Sequence, residues 1–217
     1  MLVGERMSHP VITVNPDMPI QEALNLMRKE HVRRFPVVDK RGRLKGIVSE
    51  KDLLNASPSD VTSLSIWEMH HLLSKITVDE IMTHEVVTIS EDSALEEAAL
   101  IMADNKIGGL PVVRNGNVVG IITETDLFKL FLELLGGREP GVRISVTVPN
   151  LPGELAKLTK AVFEVGGNIV ALGTFAGKST QNREVVLKVN QVNVETIRKA
   201  VEPVVEQITD IREPEPI

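Results

Sequence analysis

The sequence predicts a mixed α/β (α+β) protein, in which a duplicated β-α-β-β-α unit is followed by a domain of β-α-β-β-α-β order. Three observations lead to this prediction: a long internal repeat, a Gly-rich break near residue 136, and a new hydrophobic pattern beyond that break. The 217 residues are enough for more than one domain. The predicted boundaries are 1–57 and 79–135 for the repeats, 58–78 for a helical linker, 136–141 for a second linker, 142–212 for the last domain and 213–217 for a disordered tail.

The internal repeat relates Met7–Leu54 to Met82–Phe128, with an offset of 75 residues that falls to 74 after one deletion near Arg41. Identical residues occupy 17 of the 47 aligned positions, which is far more than chance would produce. The chain therefore contains a duplicated structural unit.

Each repeat predicts the same order of elements. A short β-rich run, Val11–Val14 or Val86–Ile89, precedes a helix whose apolar residues recur at helical spacing. Pro19 and the Ser93–Glu96 capping box predict where these two helices begin. Two strands joined by a Gly turn follow, and a last helix closes the unit.

Composition excludes several classes of function. The chain has no cysteine, which excludes disulfides, thiolate catalysis and Cys-ligated metals. Its net charge is −6 and its aromatic content 3%, so we expect no nucleic-acid partner. No apolar run approaches the ~18 residues of a membrane helix, and the first residues lack the apolar core of a signal peptide. A cytoplasmic protein without a membrane partner is expected.

No catalytic or metal-binding constellation stands out in the sequence. The histidines form no His-x-x-x-His motif and no cluster with carboxylates. The motifs of serine hydrolases and P-loop enzymes are absent. We therefore expect a protein that is not an enzyme and that requires no metal or cofactor.

Both repeats contain a Gly-apolar-apolar-[Ser/Thr]-x-x-Asp string, as GIVSEKD and GIITETD. Two interpretations of Ser49 with Asp52, and of Thr123 with Asp126, stay open. The hydroxyl and the carboxylate can cap the following helix reciprocally. The same geometry suits a nucleotide, because a helix N-terminus with a hydroxyl favours phosphate and a carboxylate can accept both ribose hydroxyls. The two interpretations are compatible with each other.

The repeats resemble CBS domains, and the tandem resembles a CBS pair, or Bateman module, over about residues 1–135. The resemblance rests on the two strings above and on PVV at Pro36–Val38 and Pro111–Val113. It implies a module that binds an adenosine nucleotide as a regulatory ligand: AMP, ADP, ATP or S-adenosylmethionine. In CBS relatives the hydroxyl and carboxylate positions contact phosphate and ribose, and backbone beside Thr13 or Thr88 reads the adenine edge.

The two repeats differ just before PVV, where the first has Arg33 and Arg34 and the second has Gly108 and Gly109. The arginines are either solvated surface charges or a fork for phosphate, whose geometry a guanidinium matches. We expect two chemically unequal pockets, of which the cationic one prefers more phosphates. The candidate nucleotide-binding residues are Thr13, Arg33, Arg34, Ser49, Asp52, Thr88, Thr123 and Asp126, with Lys51 and Lys106 as auxiliary cations. Apolar adenine walls could come from Ile12, Val37, Ile47, Val87, Val112 and Ile121, each of which could equally be plain core.

The segment between the repeats contains LSIWEMHHLLSK, at Leu64–Lys75, and predicts an amphipathic helix. This segment is similar to the linker of acetoin-utilisation protein B relatives. The chain therefore resembles that family.

Beyond the Gly136–Gly141 linker, the pattern predicts a ferredoxin-like β-α-β-β-α-β domain. The strings NLPGEL at Asn150–Leu155 and GGNI at Gly166–Ile169 resemble an ACT domain, although that family usually has Asp at position 150. The resemblance implies an amino acid or another small effector at a dimer interface, or dimerisation alone. A turn that simply needs Pro and Gly is the alternative reading of Pro152 and Gly153. The candidate effector-binding residues are Asn150, Pro152, Gly153, Asn168 and Ile169.

Two functions from different classes stay open. The favoured one is a ligand-sensing regulatory homodimer, in which nucleotide binding shifts a conformational equilibrium that a partner reads. The alternative is a scaffold that binds no ligand, dimerises and docks on a metabolic enzyme.

Overall fold

A computed structural model of the chain describes residues 1–56 and 75–213. The described residues form two compact units, Met1–Leu127 and a second that begins at Phe128. The amphipathic helix predicted around Trp67 lies outside the described residues, as does the predicted tail after Glu213.

After its first β-rich run, the first repeat has the predicted order of helix, two strands and helix. A short helix, α1 (Val3–Arg6), opens the chain, and α2 (Ile20–Lys29) is the first long helix. The antiparallel strands β1 (Arg34–Val38) and β2 (Leu44–Ser49) form a hairpin, which leads directly into α3 (Glu50–Asn55).

The second repeat has the same order. Its strands form one sheet, in which the first strand is parallel to the second and the second is antiparallel to the third. Its elements are β3 (Ile89–Ser90), α4 (Leu95–Asn105), β4 (Gly109–Arg114), β5 (Asn117–Thr123) and α5 (Glu124–Leu134). The two hairpins share a register shift at equivalent points, so the duplication extends to the detail of the backbone.

The first strand of each repeat is shorter than its sequence predicts. The run Val11–Val14 contributes one bridge, in which Val14 pairs in parallel with Val37. The run Val86–Ile89 contributes only the first residue of β3. Only the last residue of each run, Val14 or Ile89, pairs with the neighbouring hairpin. A segment of high strand propensity does not become a strand unless its backbone pairs with a neighbour.

The two long helices each begin one residue later than predicted. Pro19 is the N-cap of α2 and not its first residue. Ala94 is the N-cap of α4 and no side chain caps that helix, so the predicted Ser93–Glu96 capping box is wrong. The carbonyl of Ser93 instead accepts a hydrogen bond from the backbone N–H of Val3, at 2.9 Å.

The first residues of each repeat pair with the other repeat. Near the N-terminus, Ser8 and Ile121 exchange two backbone hydrogen bonds, at 2.8 and 3.2 Å. At the start of the second repeat, Ile47 and Thr83 exchange two more, at 3.0 and 2.9 Å. The two repeats are therefore joined by an exchange of segments.

The core of the first repeat contains residues from both sides of this exchange. Val78 precedes the second repeat and Met82 is its first residue, yet both are buried against the first repeat. Burial of this apolar surface holds the exchanged segment in place. The buried cluster comprises Val14, Ile20, Ala23, Met27, Phe35, Val37, Val48, Leu53, Val78 and Met82.

The second unit has the predicted ferredoxin-like order. Its elements are β6 (Val142–Pro149), α6 (Glu154–Glu164), β7 (Asn168–Ala176), β8 (Asn182–Asn190), α7 (Val194–Val201) and β9 (Gln207–Arg212). The sheet has the strand order β7-β8-β6-β9, and alternate residues of β6 are buried under the helices. Asn193 caps α7, because its side-chain oxygen accepts a hydrogen bond from the N–H of Thr196 at 2.8 Å.

Candidate ligand-binding site

A cavity of about 520 Å³ lies in the first unit, and residues of both repeats line it. The segment exchange creates it, because pairing of Ile47 with Thr83 brings the start of the second repeat beside the end of β2. The volume is within the range of about 300–1,000 Å³ that small-molecule sites occupy. The lining residues are Arg33, Arg34, Ile47, Ser49, Glu50, Lys51, Asp52, Thr83, Glu85, Val86, Val87, Lys106, Ile107, Gly108 and Gly109.

Ser49 and Asp52 form the reciprocal cap of α3 inside this cavity. Oδ2 of Asp52 accepts hydrogen bonds from the N–H of Ser49 at 2.8 Å and from its hydroxyl at 2.6 Å. The N–H of Asp52 donates to Oγ of Ser49 at 3.3 Å. The other carboxylate oxygen, Oδ1, accepts no hydrogen bond from the described residues. The cap therefore orients a carboxylate that keeps an acceptor for a ligand hydroxyl.

The cavity is rich in charge of both signs. Arg33, Arg34, Lys51 and Lys106 supply four cationic groups. Glu50, Asp52 and Glu85 supply three carboxylates. A site with this mixture can hold a phosphate chain at one end and a hydroxyl-bearing sugar at another.

Arg34 is half-buried, and its guanidinium lies over the two glycines of the other repeat. A β-carbon on Gly109 would stand 2.5 Å from Nη1 of Arg34, and one on Gly108 would stand 2.6 Å from Nη2. Burial lowers the pKa of Arg34 below its ordinary value, with Arg33 acting in the same direction, while the carboxylates of Glu124 and Asp52 oppose this.

The arginine pair and the glycine pair line the same cavity. The alignment of the two repeats predicts that the arginine pair and the glycine pair lie in two separate pockets, because the pairs occupy equivalent positions of the repeats. Two backbone hydrogen bonds confirm the equivalence. The N–H of Glu50 donates to the carbonyl of Arg33 at 2.9 Å, and the N–H of Glu124 donates to the carbonyl of Gly108 at 3.2 Å. The equivalent positions nevertheless face each other across one cavity.

Apolar side chains line the rest of the cavity. Of the six predicted adenine walls, Ile47 and Val87 line it. Val37 and Val112 are fully buried in the cores and Ile121 is nearly so. Ile12 is exposed and does not line this cavity.

Four of the eight predicted nucleotide-binding residues line this cavity: Arg33, Arg34, Ser49 and Asp52. Thr123 and Asp126 do not line it, but at the start of α5 they repeat the two hydrogen bonds that Asp52 accepts from Ser49. Oδ2 of Asp126 accepts from the N–H of Thr123 at 2.9 Å and from its hydroxyl at 2.6 Å.

Thr13 and Thr88 are half-buried and lie next to the first-strand residues Val14 and Ile89. Neither lines the cavity. Thr88 is adjacent in sequence to Val87, which does line it.

Several lining residues were not predicted from the sequence: Glu50, Thr83, Glu85, Val86 and Ile107. Most of them belong to the second repeat and meet Ser49 and Asp52 only through the segment exchange. The alignment of the repeats compares equivalent positions, so it carries no information about which inequivalent positions meet.

The predicted effector residues of the second unit lie at opposite ends of its sheet. Asn150 follows β6 at the end where Pro149 pairs with Asn182, whereas Asn168 pairs with Asn190 at the other end. About eight residues at ~3.3 Å each separate these ends, so the two groups are about 25 Å apart. One chain alone does not bring them together. Pro152 and Gly153 are exposed beside Asn150, and Ile169 packs partly against the core.

Asn150 and Asn168 both form hydrogen bonds within the fold. The side-chain amide of Asn150 donates to the carbonyl of Thr180 at 3.0 Å, which an aspartate at this position could not do. The amide of Asn168 donates to the side chain of Asn190 at 3.1 Å. The departure from Asp at position 150 therefore has a structural reason.

Neither a metal-binding cluster nor a membrane-spanning helix occurs within the part of the chain that the structure describes. No group of three or more histidine, aspartate or glutamate side chains is placed to hold a metal ion within residues 1–56 and 75–213. Within the same ranges, the helices are too short or too polar to cross a membrane.

Two family profiles match this chain. The CBS domain profile matches residues 3–59 and 78–133, which is more than half of the chain. The TTHA0829-like ACT domain profile matches residues 140–212. Both kinds of domain are regulatory modules.

Individual relatives match mainly over the CBS pair. A CBS domain-containing protein of Dictyostelium discoideum is 35% identical over 136 residues, which cover 62% of this chain and 94% of that protein. Other relatives are longer, and in three of them the match covers between 22% and 47% of their length.

Two solved structures share the fold of the CBS pair. The CBS domain pair of protein MJ0100, in complex with 5′-methylthioadenosine and S-adenosyl-L-methionine, is 33% identical with a TM-score of 0.52. A Vibrio cholerae protein assigned to acetoin utilization (AcuB) is 32% identical with a TM-score of 0.52. Each match covers 64% of this chain and 98% of the other.

The profiles, the relatives and the fold agree with one another. They confirm the predicted tandem repeat, the predicted ferredoxin-like domain and the resemblance to acetoin-utilisation relatives. The chain belongs to the CBS domain family, and it joins a tandem CBS pair to a TTHA0829-like ACT domain.

Proposed function

We propose that this chain is a regulatory protein that senses an adenosine nucleotide in its CBS pair, with AMP, ADP, ATP and S-adenosylmethionine as candidate ligands. The observation that carries the proposal is the cavity, where the oriented carboxylate of Asp52 lies among cations and apolar walls. A ribose, a phosphate chain and an adenine ring require these three kinds of surface.

Each part of the ligand has candidate partners in the cavity. Oδ1 of Asp52 accepts a hydrogen bond from a ribose hydroxyl. Arg33, Lys51 and Arg34 bind the phosphates, and Ile47 and Val87 contact the adenine ring. Burial of the ring and charge-assisted bonds to the phosphates together supply the binding energy.

The comparison with solved structures supports the adenosine class. The MJ0100 domain pair was solved with two ligands that both contain adenosine, and it is 33% identical to this chain. The cap formed by Thr123 and Asp126 duplicates the one formed by Ser49 and Asp52. We therefore propose a second adenosine site at Thr123 and Asp126.

Calorimetric titration with adenosine, AMP, ATP and S-adenosylmethionine tests this function. Asp52→Ala should weaken adenosine binding at one site by about 5- to 150-fold, the equivalent of a lost hydrogen bond of ~1–3 kcal/mol. For adenosine, which has no phosphate to contact the Ser49 hydroxyl, Ser49→Ala is the matched control, because it removes the same helix cap but keeps the carboxylate. Asp126→Ala tests the second site. Unchanged affinity in both aspartate variants would show that the ribose assignment is wrong.

The alternative function is a scaffold that binds no ligand and docks on a metabolic enzyme. A ligand that binds only the folded state raises its stability by RT ln(1 + [L]/Kd), so thermal shift distinguishes the two functions. A panel of adenosine nucleotides that leaves the melting temperature unchanged at millimolar concentration would favour the scaffold.

We also propose that the protein is a homodimer, with an amino acid or another small effector bound between two ACT domains. The ~25 Å separation of Asn150 from Asn168 supports this, because an effector that touches both groups needs two chains. The exposed apolar side chains Phe128 and Phe131 of α5 also support association. Light scattering should give about twice the chain mass of 23.8 kDa, and a monomer at micromolar concentration would contradict the proposal.

A further inference from the structure

Arg34 lines the cavity together with Asp52 and Lys51. Its guanidinium also lies near Glu124, the first residue of α5 in the second repeat. Nη2 of Arg34 lies 2.6 Å, and Oε2 of Glu124 2.9 Å, from the point where a β-carbon on Gly108 would stand. The cation and the carboxylate therefore occupy the same small volume beside Gly108.

The absence of side chains at Gly108 and Gly109 makes this arrangement possible. A β-carbon at position 109 would also lie 3.2 Å from Cδ of Arg34. With any larger residue in the second repeat, the arginine of the first could not extend across it. Gly108 and Gly109, which replace the arginine pair in the second repeat, thus form the surface on which the guanidinium of Arg34 lies.

The electrostatics assign the leading role to Glu124. Burial of the guanidinium disfavours its charge and lowers the pKa of Arg34. Among the neighbouring charged groups, Glu124 has the largest effect on Arg34, and it favours the charged form more than Asp52 does. A ligand phosphate that binds Arg34 therefore enters the field of this carboxylate.

We propose that Glu124 sets which adenosine ligands the cavity accepts, by competing with ligand phosphates for the guanidinium of Arg34. This proposal rests on the nucleotide-binding function proposed above. Glu124 moderates the positive charge that Arg33, Lys51 and Lys106 place around the cavity. It lowers the affinity for ATP and ADP relative to ligands without phosphates, such as adenosine and S-adenosylmethionine.

Glu124 does not line the cavity and acts through Arg34, so it is a positioning residue. Because it is exposed on its outer side, solvent and salt screen its effect. Glu124→Gln should therefore bind ATP about 3- to 10-fold more tightly at low ionic strength, and the gain should shrink as salt is added. Adenosine affinity should change by less than about twofold, since adenosine carries no phosphate charge.

The test is calorimetric titration of the full chain with ATP, adenosine and S-adenosylmethionine. Glu96→Gln on α4 is the matched control, because Glu96 is exposed in the same unit and its replacement changes the net charge equally. The second measurement places Glu124→Gln in an Arg34→Ala background. The gain in ATP affinity should vanish there, since the two substitutions act on one electrostatic interaction.

Each outcome decides the proposal. A gain for ATP alone that requires Arg34 supports it. An equal gain in Glu96→Gln, or a gain that persists without Arg34, would show a general charge effect and overturn it. An unchanged ATP affinity in Glu124→Gln overturns it while leaving the nucleotide-binding function intact. A wild-type chain that binds none of the three ligands overturns both.

Discussion

Met82 fills the space that Gly46 leaves open. Cγ of Met82 lies 2.8 Å, and the carbonyl oxygen of Thr83 2.9 Å, from the point where a β-carbon on residue 46 would stand. Met82 is the first residue of the second repeat, and it is only 6% exposed. The close approach of this segment to β2 is what positions Thr83–Val87 in the cavity.

Gly46→Ala should therefore destabilise the first unit by about 1–3 kcal/mol, because the added methyl collides with a buried side chain and with backbone. Gly120→Ala is the matched control at the equivalent position of the second repeat. There the three nearest obstacles are all atoms of the Met7 side chain, which can move. Thermal or urea unfolding should show the larger loss for Gly46→Ala, and equal losses would contradict the role of the Thr83 backbone.

Asp39 is held in its ionised form at the turn between β1 and β2. Hydrogen bonds from the backbone and side chain of Arg43, with a further backbone bond from Arg41, lower the pKa of Asp39 from 3.8 to about 2. A folded-state pKa below the unfolded value means that ionised Asp39 stabilises the fold above about pH 4. This contribution is lost as the pH falls through about 2.

The melting temperature of Asp39→Asn should accordingly be below that of the wild type at pH 7, and the difference should narrow at acid pH. In an Arg43→Ala background, Asp39→Asn should lower the melting temperature by less, because the side-chain hydrogen bond at 2.9 Å is already absent. Arg41→Ala is the control, since Arg41 contributes only its backbone N–H. A difference that stays constant from pH 7 to pH 2.5 would rule out this account.

Asn150→Asp restores the residue that is usual in ACT domains, yet we expect it to destabilise the second unit. The carboxylate cannot donate to the carbonyl of Thr180 and repels it. The expected loss is about 0.5–1.5 kcal/mol, the net contribution of a hydrogen bond. Asn150→Ala, which loses the bond without the repulsion, should cost no more than Asn150→Asp. Chemical denaturation compares them, and a stabilised Asn150→Asp variant would contradict the structural reason given for Asn150.

Features that depend on local chemistry were predictable from the sequence. The duplication, the two hairpins, the ferredoxin-like order, the reciprocal cap at Ser49 and the bonds from Thr123 to Asp126 follow from short-range patterns of apolar, turn and capping residues. The wrong capping box at Ser93 shows the limit of such patterns. At Ser93, which the pattern predicts as the N-cap, the backbone carbonyl accepts a hydrogen bond from the N–H of Val3 in the N-terminal segment.

The sequence by itself determined which chemical groups are available to this protein. They are the carboxylates of Asp52 and Asp126 at two helix starts, one arginine pair and one glycine pair, in two copies of one repeat. Only the tertiary structure decided which of them share a cavity. The exchange of segments brings Thr83–Val87 to Ser49 and Asp52. The extended side chain of Arg34 lies over Gly108, near Glu124 of the other repeat. These contacts join positions that are inequivalent in the repeat and far apart in the chain. They depend on long-range packing, which local pattern and propensity do not encode.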